Sequence, residues 1–199
     1  MSDPQIDSGK RTWIIASSCA GVVGAGFVAV PFISSFEPSE RARAAGAAVE
    51  VDIADLKPGE KKTVEWRGKP VWIIKRTPEQ LAELPKVDSL LADPKSAHKP
   101  DELTPPYARN EGRSIKPDIL VAVGICSHLG CSPSDKFTPG AQASLPDNWA
   151  GGFLCPCHGS TFDMAGRVYK NKPAPDNLEV PPHMYLSDTR ILIGEDKKA

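Results

Sequence analysis

Two hexapeptides hold the residues best suited to chemistry: Cys126-Ser127-His128-Leu129-Gly130-Cys131 and Cys155-Pro156-Cys157-His158-Gly159-Ser160. Each sets a cysteine and a histidine close enough to hold one iron, as C-x-H in the first and C-x-x-H in the second. Two thiolates on one iron and two imidazoles on the other suit an asymmetric [2Fe–2S] centre, in which histidine replaces cysteine on a single iron and raises the reduction potential. Cys131 and Cys157 are then free to close a disulfide between the loops. Zinc held by two Cys and two His is the competing chemistry, but it leaves the prolines and glycines of both loops unexplained. A pair of plain disulfides suits an extracytoplasmic chain but gives the two histidines no role. That two loops match together favours the cluster.

A largely β head must position these loops. Val49 to Ile53 alternates apolar and polar residues, and Lys57-Pro58-Gly59-Glu60 reads as a turn. Thr63 to Trp66 and Pro70 to Lys75 flank Arg67-Gly68-Lys69 as a hairpin. A short helix starts after Thr77, with Pro78 at its first position and Gln80 completing a capping box. Residues 84–117 are polar and Pro-rich without a sustained period and read as a long surface insertion. Ile119 to Ile125 is a continuous apolar run leading into the first loop, and Gly151 to Leu154 feeds the second. Residues 132–148 form a second polar insertion, and His183–Leu186 with Arg190–Ile193 a closing hairpin. Trp66 and Trp72 read as core, Trp149 as packing under the second loop, and His98 as a solvated surface residue. His183, after two prolines at a strand start, is not expected to be a ligand. No internal repeat is visible.

The chain has 199 residues, enough for one anchor and one domain of ordinary size. Its net charge of −1 offers no basic surface for nucleic acid. Twenty Pro and sixteen Gly suit a loop-rich β domain better than a helical one. Thr12 to Phe36 carries no charged side chain over 25 residues. A helix of that length reaches about 37 Å, more than the roughly 30 Å hydrocarbon core of a bilayer. Lys10 and Arg11 precede it and Glu37 and Glu40 follow, which directs the N-terminus to the cytoplasm and the head outward. The fifth cysteine, Cys19, lies inside this run as a small apolar residue. Gly21, Gly24 and Gly26 give one face a small-residue surface for another membrane helix. Ala42-Arg43-Ala44 has the look of a cleavage site, but the apolar run exceeds a usual signal core, so an uncleaved signal anchor is expected.

The paired C-x-H-x-G-C and C-P-C-H-G-S motifs, the later Lys172-Pro173-Ala174-Pro175 and the order anchor, Ala-rich stretch, head resemble the Rieske iron–sulfur subunits of bacterial cytochrome bc1 complexes (ubiquinol–cytochrome c reductases) over nearly the whole chain. The resemblance implies a mainly β fold: one N-terminal transmembrane helix and a Rieske-type antiparallel β head with a small cluster-binding subdomain. It divides the chain into a cytoplasmic N-terminus (1–11), an anchor (12–36), a flexible tether (37–48) and a head (49–199) whose cluster loops fall within 120–182. It implies Cys126, His128, Cys155 and His158 as iron ligands, a Cys131–Cys157 disulfide, and His158 as the quinone contact. Ser160 would donate to a bridging sulfide, while Leu129 and the Pro173–Pro175 segment shield the cluster. Two departures stand out: Phe162 where high-potential members have a sulfur-donating Tyr, and Lys172 where the family has Gly. Family members are often exported through a twin-arginine signal, and the corresponding pair here is Lys10-Arg11.

The implied function is that of a redox subunit in a proton-translocating quinol–cytochrome c oxidoreductase. It takes one electron from quinol, with a proton to a ligand histidine, and passes the electron to a c-type cytochrome. Partners would be cytochrome b and cytochrome c1 subunits within a dimeric complex of a bacterial inner membrane, the head on the periplasmic side. A Rieske ferredoxin serving an oxygenase and the small subunit of an arsenite oxidase are the alternatives. The anchor and the extra cysteines Cys131 and Cys157 weigh against the ferredoxin.

Overall fold

The computed structural model describes residues 7–40, 42 and 46–196. The chain divides into two compact units, Met1–Ala44 and Ala45–Ala199. Residues 1–6 of the expected cytoplasmic N-terminus, and Arg41 and residues 43–45 of the expected tether, lie outside the described residues.

The first unit holds helix α1, Ser8–Ser34, with a mean hydropathy of 1.9 in its most apolar window. It starts earlier than the uncharged stretch because Asp7 caps it, its carboxylate accepting the N–H of Gly9 at 3.0 Å and of Lys10 at 3.1 Å. Ser17 returns its hydroxyl to the Trp13 carbonyl at 2.8 Å, which satisfies it without water. No residue of the helix is buried, and Trp13 and Phe27 are each 77% exposed. An apolar surface of this kind is that of a helix whose solvent is lipid.

In the second unit the described residues form three antiparallel three-stranded sheets. The first joins β1 (Val49–Asp52), β9 (Arg190–Ile193) and β8 (His183–Tyr185). The second joins β2 (Lys61–Trp66), β3 (Lys69–Lys75) and β4 (Ile119–Val123). The third joins β5 (Ser134–Lys136), β6 (Gly152–Leu154) and β7 (Thr161–Asp163). Arg67 and Gly68, both at positive φ (52° and 71°), close the β2–β3 hairpin as the two-residue turn that matches strand twist.

Strands β3 and β4 of the middle sheet are buried on both faces, which explains the continuous apolar run of β4. Val71, Ile73, Val121 and Val123 point into one core with Val51, Ile191 and Ile193 of the first sheet. The alternate residues Trp72, Ile74, Leu120 and Ala122 point into a second core with Cys126, Cys155, Phe153, Phe162, Met164 and Leu178. Trp66 and Trp72 are core, as their composition predicts. Helix α2 (Pro78–Glu83) carries the expected capping box: Thr77 N–H donates to Gln80 Oε1 at 2.9 Å and Gln80 N–H to Thr77 Oγ1 at 3.3 Å.

Residues 84–117 are not the surface insertion their polarity suggests. The segment contains two 3₁₀ turns (Pro85–Leu90 and Pro106–Ala108) and a helical turn, α3 (Pro100–Leu103). It buries Val87, Leu91, Ala108 and, at 0% exposure, Arg113. Arg113 donates to the Leu178 carbonyl at 2.7 Å, to Ser96 Oγ and Thr104 Oγ1 at 2.8 Å, and to the Ala165 and Gly166 carbonyls. Arg76 does likewise for Ser114 and the carbonyls of Gly112, Met164 and Pro117, and Arg167 pairs with the buried Asp163 at 2.8 Å. Burial pulls Arg76 and Arg113 down to about 10, so both stay charged at neutral pH. Within 132–148 the chain also forms β5, paired with β6.

Candidate iron–sulfur site

Each hexapeptide is launched from a buried strand: β4 through Gly124 and Ile125 to Cys126, and β6 directly to Cys155. Gly124 is required there because a Cβ would fall on the Trp72 indole. The two loops then repeat one backbone design. Cys126 N–H donates to the Cys131 carbonyl (2.8 Å) and Cys155 N–H to the Ser160 carbonyl (2.7 Å). Gly130 N–H returns to the Cys126 carbonyl (3.1 Å) and Gly159 N–H to the Cys155 carbonyl (3.0 Å). Both glycines are left-handed, at φ 82° and 73°. The shared turn puts one cysteine of each loop inward and leaves the histidines at its crown.

Cys126 and Cys155 are free thiols, each 2% exposed. His128 is half-buried and His158 exposed. Their rings meet edge to face with centroids 4.7 Å apart. Cys131 and Cys157 form a disulfide with their Cα atoms 6.6 Å apart, tying the loops together. The sulfurs of Cys131, Cys155 and Cys157 lie within 4.8 Å of one another, but two are spent in the disulfide, leaving Cys155 as the available ligand of that group.

The donor set fits a [2Fe–2S] cluster. Burial pushes the Cys126 thiol up, so this thiolate needs a cation beside it. His128 Nδ1 is buried without a hydrogen-bond partner, an unsatisfied acceptor or donor that a metal bond would satisfy. Two buried sulfurs and two more accessible imidazoles on the same two loops are an asymmetric set rather than four equivalent ligands.

A third segment closes the site. Ala174 N–H donates to Ser160 Oγ at 2.9 Å, pinning Pro173-Ala174-Pro175 to the second loop. The Ser127 hydroxyl donates to the Asp176 carbonyl at 2.6 Å and accepts the Asp176 N–H at 3.3 Å, pinning the segment's far end to the first loop. Ser160 is buried; Pro173 and Pro175 are exposed. Asn171, not Lys172, takes the left-handed backbone (φ 56°) before Pro173, so Lys172 needs no glycine-like conformation. Leu129 is 70% exposed and offers an apolar surface at the crown beside the histidines. Phe162 is fully buried in the core that also holds Cys126 and Cys155, pairing with Phe153 across β6–β7.

Outside the site, Trp149 is buried, its indole N–H donating to the Lys136 carbonyl at 2.8 Å and its ring 5.5 Å from that of Tyr169. His183 is buried in β8, its Nδ1 2.8 Å from the Pro181 carbonyl. His98 is exposed, 3.7 Å from Asp176. Ser127 and Asp176 were not singled out by their sequence; their pairing spans 49 residues and has no local pattern.

Fold and site define a class: an antiparallel β head that presents two Cys/His loops to hold an iron–sulfur centre. The family model of the Rieske [2Fe-2S] domain matches residues 47–182, and that of the ubiquinol–cytochrome c reductase Fe-S subunit TAT signal matches residues 13–39. The ubiquinol–cytochrome c reductase iron–sulfur subunit of Allochromatium vinosum is 55% identical over 188 residues, covering 94% of this chain and 89% of that one. That of Bradyrhizobium diazoefficiens is 40% identical over 181 residues, covering 90% of each. Among solved structures, a chain of a hyperthermophilic respiratory complex III superposes with a TM-score of 0.45 at 25% identity, covering 89% of this chain and 97% of that chain. The protein belongs to the Rieske [2Fe–2S] family and, within it, to the iron–sulfur subunits of ubiquinol–cytochrome c reductase. Its cofactor is a [2Fe–2S] cluster, and the apolar helix with its signal match makes it a membrane-anchored protein with an exported head.

Proposed function

We propose that Cys126 and Cys155 hold one iron and His128 and His158 the other, and that the exposed His158 receives the proton when quinol is oxidised. The observation that carries this reading is the pair of imidazoles, their ring centroids 4.7 Å apart, on the same two loops as two buried thiols. When bound, the cluster supplies a one-electron acceptor whose oxidised state carries the greater positive charge. The remaining work falls to this chain's side chains. His128 directs its buried Nδ1 inward, where ligation gives it a partner. His158, being exposed, has a ring nitrogen open to a quinol hydroxyl. An imidazole beside a more positive iron holds its proton weakly and beside a less positive one more tightly, so proton and electron arrive together. Ser160 and the 173–175 segment keep water from the buried sulfurs, and Leu129 gives the crown an apolar face for a membrane-embedded partner.

The wider reading follows from the family. The partners are a cytochrome b subunit carrying the quinol and a cytochrome c1 subunit taking the electron, in a dimeric complex of a bacterial inner membrane. The N-terminus, residues 1–11, is cytoplasmic; 12–36 span the membrane; 37–48 tether a periplasmic head that moves between the two partners. The small, polar composition of the tether supports that role. The direct test is the midpoint potential of the cluster in the full chain as a function of pH. One-proton coupling gives a potential flat at low pH that falls by about 59 mV per pH unit once the oxidised-state imidazole has lost its proton. A potential independent of pH across the alkaline range would reject proton capture by a ligand histidine.

A further inference from the structure

The turn at residues 93–99 has an unusual construction. The Asp93 carboxylate accepts the N–H of Ala97 at 2.7 Å and of His98 at 3.0 Å. Ser96 and Lys99 both sit in the left-handed region (φ 52° and 41°), which side-chain-bearing residues adopt at a cost. A buried polar network holds Ser96 there. Ser96 Oγ accepts from Arg113 Nε at 2.8 Å and from Asn177 Nδ2 at 3.3 Å, and Asn177 Nδ2 also donates to the Asp93 carbonyl at 2.9 Å. The product of this geometry is a presented cation. Lys99 Nζ lies 2.8 Å from Asp176 Oδ2, and His98 Nδ1 lies 3.7 Å from Oδ1. Asp176 is the residue whose backbone both donates to and accepts from the Ser127 hydroxyl, and Ser127 stands between Cys126 and His128.

We propose that this turn is a brace for the cluster site and that Lys99 is a positioning residue. It acts through Asp176 and Ser127 to hold the first loop and the 173–175 segment closed. An exposed ion pair by itself contributes little, but this one differs on two counts. The Asp176 side chain is 10% exposed while Lys99 is 55% exposed, so loss of the lysine strips a nearly buried carboxylate of its closest cation. The turn that presents Lys99 is held at Ser96 by Arg113, which is fully buried and also donates to the carbonyls of Ala165, Gly166 and Leu178. The brace therefore joins the polar interior to the first loop through one side-chain contact.

The inference rests on the ligand assignment proposed above, and the test separates the two. Full-length chain carrying its cluster is challenged with excess chelator, and cluster loss is followed by absorbance; the thermal unfolding midpoint is measured on the same samples. Lys99→Met should lose its cluster about fivefold faster, the upper end of what a partly exposed pair contributes, with an unfolding midpoint lowered by no more than about 4 °C. Lys99→Arg should restore the wild-type rate. Lys99→Met combined with Asp176→Asn should lose the cluster no faster than the faster single variant, because the two act as one unit. A wild-type rate in Lys99→Met, additive rates in the double variant, or an equally fast loss in Lys61→Met, whose pair with Asp135 lies away from Ser127 and Asp176, at the same unfolding midpoint, would each overturn the brace. A wild-type chain without a histidine-coupled EPR signal would overturn the ligand assignment and the brace together.

Discussion

The Ser160 hydroxyl accepts the Ala174 N–H at 2.9 Å, which leaves its own proton to donate elsewhere. In the proposed arrangement that proton is directed to a cluster sulfur, so loss of the hydroxyl should be felt both in the closing segment and in the potential. Ser160→Ala should lower the midpoint potential, since a hydrogen bond toward sulfur stabilises the more negative, reduced state. Phe162 stands where a further donor would act, and it is fully buried in the core that contains Cys126 and Cys155. Phe162→Tyr should raise the potential. Redox titration of both variants decides the matter: a shift in Ser160→Ala alone would mean that a hydroxyl at residue 162 does not reach a ligand sulfur.

At the scale of elements, what holds the loops is a polar interior as much as an apolar one. The Asp163 carboxylate at the end of β7 accepts the N–H of Ala165 at 2.9 Å and of Arg167 at 2.8 Å, and pairs with the Arg167 guanidinium at 2.8 Å, both side chains being almost fully buried. Asp163→Asn leaves Arg167 without its buried counter-charge and should cost on the order of 3 kcal/mol of head stability, read as a lowered denaturant midpoint in the full chain. A loss below about 1 kcal/mol would place the pair with ordinary surface ion pairs. In β8, burial depresses the pKa of His183, held neutral beside the Pro181 carbonyl. The unfolded chain takes up this proton below about pH 6.5 and the folded chain resists it. Stability from this group is therefore complete above that pH and is lost as pH falls below it. His183→Asn, which keeps a donor for Pro181, should show a shallower fall in unfolding midpoint between about pH 6.5 and 5; slopes equal to wild type would remove His183 from the acid response. The elements themselves were unevenly legible. The capping box at Thr77, the Arg67-Gly68 hairpin and β4 announce themselves because propensity and period act locally. Residues 84–117 do not, because burial of Arg113, Asp93 and Ser96 depends on partners up to 84 residues away and leaves no periodic trace.

At the scale of the molecule, the chain joins a lipid-facing helix to a head with a reactive crown, and the site at that crown was the most legible part of the sequence. The proposed ligand chemistry accounts for the spacing of Cys126, His128, Cys155 and His158 within two short loops, and Cys131 and Cys157 are linked as the sequence suggested. The Asp176–Ser127 contact and its support from Lys99 were hidden, since each joins residues distant in sequence through a single hydrogen bond. In the reading proposed above, the head moves between two partners on the 37–48 tether. Prolines inserted within 44–48 should leave the cluster and its potential unchanged and slow quinol–cytochrome c turnover in the assembled complex. Unchanged turnover would reduce the segment to a passive spacer.

The central claim, that two histidines and two cysteines of these loops hold one cluster, is tested most directly by pulsed EPR of the reduced full-length chain grown with ¹⁵N-histidine. The expected result is a low-average-g signal with two strongly coupled histidine nitrogens, lost together with the cluster in His128→Ala. A cluster signal with no directly coupled nitrogen, or one that survives in His128→Ala, would contradict it.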